Sequence, residues 1–138
     1  MSVVYNSVAQ VDDVIVAASW QRTDDKGADA PFGAGVLGQS DGDLEFIVTR
    51  TALKGNGVLG CKALALPTTG WALRLDEVAF PVGAVAHRHT HSGSGWRFLV
   101  AGSLRIEAEY DITVMGEGDS WFEPAHSPVR AVALQDAA

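Results

Sequence analysis

Four histidines are the residues of this chain best suited to chemistry, and they are unevenly spread: His87, His89 and His91 fall within five residues, while His126 lies apart. On an extended strand, residues i, i+2 and i+4 share one face, so the run from His87 to His91 would set three imidazoles side by side. Imidazole is the commonest protein ligand for transition metals and suits zinc, iron, nickel, copper or manganese. A strand carrying solvated histidines has the same spacing, so the tract by itself leaves both readings open. Two charged residues could join such a site. Arg97 would share a strand face with Gly95 and Leu99, and a buried guanidinium requires an anionic partner. That partner is either a substrate carboxylate or a structural one, with Glu123 and Glu77 as candidates. Glu123, next to Pro124, is accordingly a candidate ligand, general base or ion-pair partner.

The elements that must position these residues read as strands separated by glycine-rich turns. Residues 44–53 are rich in β-branched and aromatic side chains between turn signals. Trp71, Leu73 and Leu75 alternate with Ala72, Arg74 and Asp76, and Leu104, Ile106 and Ala108 with Arg105, Glu107 and Glu109, the period of half-buried strands. Residues 96–100 and 129–134 complete the set. Residues 11–20 fit a strand or a helix, and residues 21–42 are polar and glycine-rich, as expected of an extended loop or mobile arm. Fifteen glycines and five prolines punctuate the runs, at the spacing of sandwiches and barrels. The fold class expected is all-β.

Three other motifs do not survive their context. Gly33–Gly38 and Gly55–Gly60 both spell GxGxxG, but a dinucleotide site needs that pattern between a strand and a helix whose N-terminus holds the pyrophosphate. Neither copy has room for the helix, and both read as hairpin glycines. Gly38–Gly42 spells GxSxG, a nucleophile elbow only at a strand-to-helix turn; Ser40 is expected to be a turn residue. The single cysteine, Cys61, permits no intrachain disulfide and reads as a small buried side chain.

The neighbourhood of the histidines resembles the cupin family. Cupins carry a first motif G-x5-H-x-H-x3–4-E-x6-G and a second motif G-x5-P-x-G-x2-H-x3-N. Here Gly83 is followed by five residues and then His89-Thr90-His91, with Gly95 at the glutamate slot and Gly102 closing the motif. After an interval of fifteen residues, Gly118 is followed by five residues and Pro124. His126 falls on the glycine slot of the second motif and Val129 on its histidine slot. The resemblance implies a single-domain jelly-roll barrel over residues 43–138, preceded by a strand and mobile arm over residues 1–42. The stretch before Gly70 would supply outer strands, or a strand exchanged with a second subunit. It also implies a divalent transition metal (Fe, Mn, Zn or Ni) held by His89 and His91, assisted by His87 or His126, although two of the four usual ligands are missing. Arg97 and Glu123 would serve a small, carboxylate-bearing substrate. A metal-dependent dioxygenase, isomerase, decarboxylase or lyase and a metal-free binding or dimerising cupin both fit. Trp96, Trp121 and Phe122 are expected in the core or a subunit interface rather than on the cavity wall, and Trp71 in the core.

Charge and length set the remaining bounds. The 138 residues suit one domain. With 10 Lys plus Arg against 17 Asp plus Glu, the net charge is −7 and no basic cluster offsets it, which argues against nucleic acid as a partner. The first residues lack the basic start and apolar run of a signal peptide, and no apolar stretch approaches the ~20 residues of a membrane span. A cytoplasmic homodimer that binds a small molecule is expected, the dimer by family resemblance.

Overall fold

Alternating apolar residues between glycine and proline breaks leave the backbone few options besides paired strands, and the protein is built that way. The structure is a computed structural model. It describes the backbone of residues 1–11, 17–22, 28–29, 35–41, 44–49, 54–55, 58–63 and 71–138, and the side chains of residues 1–3, 20, 44, 46, 59 and 74–138. The described elements are all strands: β1 (Ser2–Val11), β2 (Ala17–Arg22), β3 (Ala28–Asp29), β4 (Gly35–Asp41), β5 (Leu44–Thr49), β6 (Lys54–Gly55), β7 (Val58–Ala63), β8 (Trp71–Ala79), β9 (Val85–His89), β10 (Gly95–Phe98), β11 (Ser103–Ala108), β12 (Ile112–Gly116), β13 (Ser120–Glu123) and β14 (Val129–Ala133). No described helix is long and apolar enough to cross a membrane. The all-β expectation holds.

By its contacts the chain divides into two compact units, one of Met1–Val4 with Glu77–Ala138 and the other of Tyr5–Asp76. In the second unit, β4, β5, β2 and β7 form a four-stranded antiparallel sheet in that order, and β3 pairs with β6. Trp20 lies opposite Phe46 across β2 and β5, their rings meeting edge to face at 4.9 Å, and both are buried with Leu44. Strands β5 and β7, which the sequence reading assigns to the barrel, thus pair with β2 and β4. Much of the expected arm over residues 21–42 is strand, because β4 pairs along β5 from Gly35 to Asp41. Ser40 is part of that pairing, opposite Glu45, rather than in a turn: ladder hydrogen bonding overrides the local glycine signal. Gly38 is likewise a strand residue. Of residues 11–20, Val11 ends β1 and Ala17 begins β2; residues 12–16 lie outside the described residues, as do the side chains of Cys61 and Trp71.

The unit that carries the histidines has a four-stranded antiparallel sheet of order β12, β11, β14, β9 and a two-stranded antiparallel sheet of β10 and β13. Burial alternates along β11 and β14, so Leu104, Ile106, Val129, Ala131 and Ala133 face inward to join Ala86, Leu99 and Ala137 in one core. Phe80, Ala84, Met115 and Trp121 pack against it. The outward face of the sheet is polar where Glu107 binds both Arg105 and Arg130.

The three motif glycines have backbone roles. Gly83, Gly102 and Gly118 have φ of 82°, 84° and 85°, a region that disfavours any side chain. Gly102 is also pressed on by the C-terminal tail: a Cβ there would fall 2.1 Å from the Asp136 carbonyl oxygen and 2.8 Å from the Ala137 Cα. The tail is held by Phe80 and Ala137, which exchange backbone hydrogen bonds of 2.7 and 2.8 Å. Overpacking costs about 1–3 kcal/mol and a left-handed alanine about 1–2 kcal/mol. Gly102→Ala is therefore expected to lower unfolding free energy by at least about 2 kcal/mol in urea titration, whereas alanine at the exposed Gly93, which has open space around it, changes it little.

Candidate functional site

The site begins with a break in strand parity. Along β9 and β14 the register partners are His89 with Val129 and Ala86 with Ala131. Three steps on β9 therefore match two on β14, so β9 carries one extra residue, a β-bulge. Buried Ala86 and half-buried His89 both point inward, while His87 and Arg88 between them are exposed. His87 therefore does not share a face with His89, as uninterrupted alternation would require. It contributes its carbonyl oxygen instead, which accepts a hydrogen bond of 2.5 Å from His89 Nδ1.

That bond fixes the tautomer of His89. A carbonyl only accepts, so Nδ1 carries the proton and, in the neutral ring, Nε2 presents a lone pair. His91, just beyond the strand end, turns its own Nε2 to within 3.0 Å of His89 Nε2. The rings meet edge to face at 4.7 Å. The hydrogen bond between the two Nε2 atoms then has His91 as donor and His89 as acceptor.

Close to the pair is a charged cluster carried by the β10–β13 strand pair, whose register sets Gly95 opposite Glu123 and Arg97 opposite Trp121. Glu123 Oε2 accepts from Arg97 Nε at 3.1 Å and Nη2 at 3.0 Å, and Oε1 accepts from Trp121 Nε1 at 3.0 Å. The partner of Arg97 is therefore Glu123 rather than Glu77. Glu123 Oε2 lies 3.8 Å from His91 Nε2. His89, His91, Arg97 and Glu123 are thus brought together; His87 is not.

His126 is not brought in either. Its ring is exposed, and the residue has φ of 64°, the only positive value among the described non-glycine residues. It occupies the glycine slot of the second motif and adopts the backbone conformation that a glycine there would supply. Its amide donates to the His91 carbonyl at 2.8 Å, and nearby Ala125 N donates to Ser94 Oγ at 3.0 Å. His126 thus braces the loop that presents His91 through its backbone. Trp121 and Phe122, expected as core or interface residues, line a cavity of about 130 Å³ together with Ile106, Met115, Glu123 and Val129. The inward parity of β13 puts Trp121 on that wall.

Whether a metal fits is answered by the donors. Two imidazole nitrogens converge, but they are hydrogen-bonded to each other, and the nearest carboxylate oxygen is held twice by a guanidinium. Gly95 offers no ligand atom, and Val129 at the second-motif histidine slot is a buried core residue. Among the described residues no group of three or more histidines, cysteines, aspartates or glutamates is placed to hold a metal ion. As arranged, these side chains do not form a metal site. The bulge and the register of β10 with β13 were not readable from the spacing of histidines, but the glycine at position 95 was a visible sign.

Relief of a left-handed backbone is worth about 1–2 kcal/mol, against about 0.4–1 kcal/mol for the extra unfolded-state freedom of glycine. His126→Gly is therefore expected to leave stability unchanged or raise it by up to about 1 kcal/mol, while His126→Val, β-branched in a left-handed turn, lowers it. Thermal unfolding of the two variants checks this, and a destabilised glycine variant would speak for a bond made by the imidazole.

A family model described as a cupin domain matches residues 76–137. No curated protein and no solved structure gave a match. The matched segment spans both histidines of the site, the β10–β13 strand pair and the motif glycines, and coincides with the unit that begins at Glu77. Residues 76–137 of this chain are therefore a cupin domain.

Proposed function

We propose that the cupin domain is a small-molecule-binding barrel whose ligand is recognised through hydrogen bonds donated to Glu123. The observation that carries this reading is the cavity of about 130 Å³ that opens against Glu123, with Ile106, Met115, Trp121 and Val129 as apolar wall and Thr113 and Ser127 as hydroxyl-bearing lining. An engineered cavity of about 150 Å³ takes benzene, so the guest has about six heavy atoms. An apolar wall with few convergent polar groups is the usual form of a ligand site.

The polarity of the guest follows from the lining. Its charged members are Asp111 and Glu123, both acids, and Arg97 spends Nε and Nη2 on Glu123. A carboxylate has about four acceptor positions, and three hydrogen bonds reach Glu123 from Arg97 and Trp121. The remaining position suits a hydroxyl or amine. A carboxylate-bearing substrate would require Arg97 to turn from Glu123, so a hydroxyl- or amine-bearing molecule is the better match. The metal-dependent enzyme implied by the resemblance has the convergence of His89 and His91 in its favour, but it needs Glu123 released from the same ion pair. Binding without a resident metal is the reading adopted.

Calorimetric titration with small polyols, amines and carboxylates of matched size tests it. Hydroxyl or amine compounds should bind, and Glu123→Gln should weaken them about 10- to 100-fold, the worth of a hydrogen bond to a charged group. Preferential binding of carboxylates, or indifference to Glu123→Gln, would discard the assignment.

A further inference from the structure

We infer that Gly95 and Arg97 form an interlocked pair that seats a guanidinium where this barrel would otherwise have a metal-binding carboxylate, so that the domain carries its own fixed cation and excludes a divalent one. A Cβ built on Gly95 would lie 2.5 Å from Arg97 Cζ, 2.7 Å from Nη2 and 2.9 Å from Nη1. Those distances are shorter than any real contact, and the atoms met are the head of the guanidinium itself. Any side chain at position 95 would therefore have to displace the guanidinium from where it lies. From there the guanidinium holds Glu123 Oε2 through two nitrogens, and that oxygen is 3.8 Å from His91 Nε2. A divalent ion at the imidazoles would face a fixed positive charge across a single carboxylate oxygen.

The imidazole pair closes the same space independently. With His89 Nδ1 bound to the His87 carbonyl, the 3.0 Å contact between the two Nε2 atoms is bridged by a proton. The lone pair of His89 that would coordinate a metal accepts this proton instead. One proton and one guanidinium thus take up the positions of ligand-directed positive charge. This inference does not rest on the ligand assigned to the cavity, because metal content is measured with no ligand present.

The test is metal loading of the full-length, tag-free chain. Wild type, exchanged into cobalt(II) and desalted, is expected to retain under about a tenth of an equivalent and show no ligand-field absorbance. Gly95→Glu combined with Arg97→Ala removes the cation and supplies a carboxylate. It is expected to bind cobalt at least about 100-fold more tightly, near one equivalent, and to lose it again with His89→Ala. Stability gives a second readout that does not depend on that variant folding. Gly95→Ala should lower the melting temperature in wild type but not in an Arg97→Ala background, where the guanidinium is gone. A stoichiometric cobalt ion in wild type that disappears with His89→Ala would overturn the inference. So would a folded double variant that binds no better than wild type, or a Gly95→Ala effect unchanged by Arg97→Ala.

Discussion

The ion pair between Arg97 and Glu123 is the constraint on which the interior of the cupin domain depends. Taking a guanidinium and a carboxylate from water costs several kcal/mol for each ion unless their geometry and remaining hydrogen bonds are good. Here Glu123 is largely buried, with 14% of its side chain accessible, against 36% for Arg97. Two guanidinium nitrogens on one oxygen and the Trp121 indole on the other meet the requirement. The pairing register of β10 and β13 sets both charged residues on one face of this two-stranded sheet. Side chains that a family resemblance would treat as independent ligands and clamps are therefore parts of one unit: removing one partner leaves the other as an unpaired charge, the costlier state.

The same unit shapes what the cavity can accept. Negative charge at its mouth comes from Glu123 and Asp111, and the Asp111 side chain is itself engaged by the Thr113 hydroxyl. The counter-cation, Arg97, is not among the residues that line the cavity. In the proposed binding role a guest would meet an oriented acceptor, while the imidazole pair is closed on itself by a hydrogen bond. Specificity would then come from a preset direction of acceptance more than from net charge.

Much of this was legible in the residues. Alternation marked Leu104 and Ile106 as core-facing, although Ala108 at the end of the same run is exposed, and the motif spacing placed Gly83, Gly102 and Gly118, whose positive φ values show why glycine occurs there. The convergence of His89 and His91, and the choice of Glu123 as a possible partner for Arg97, could also be read. The side of His87 could not, because a single extra residue in a strand inverts parity and leaves no mark on composition. His126 was misleading for a related reason: its residue type suggests chemistry, whereas its position in the motif is that of a turn glycine. Of the N-terminal strands only β5 was recognisable by composition; β4 was masked by its glycines and polar residues, and the partnership of β2 with β5 and β7 is set by long-range registers that composition does not carry.

The contact between Phe80 and the tail has a kinetic consequence. The residues that open and close the cupin unit are bridged across the whole of it, Phe80 to Ala137, and β9 is completed only by β14. Two of the three pairings in that sheet, β11 with β14 and β14 with β9, join strands distant in sequence, which places this unit towards the slow-folding, non-local topologies. During synthesis, strand β9 waits for β14 before this pairing can form, and the interval exposes its edge to misassembly. Closure of this sheet is therefore a late event in the folding of the unit.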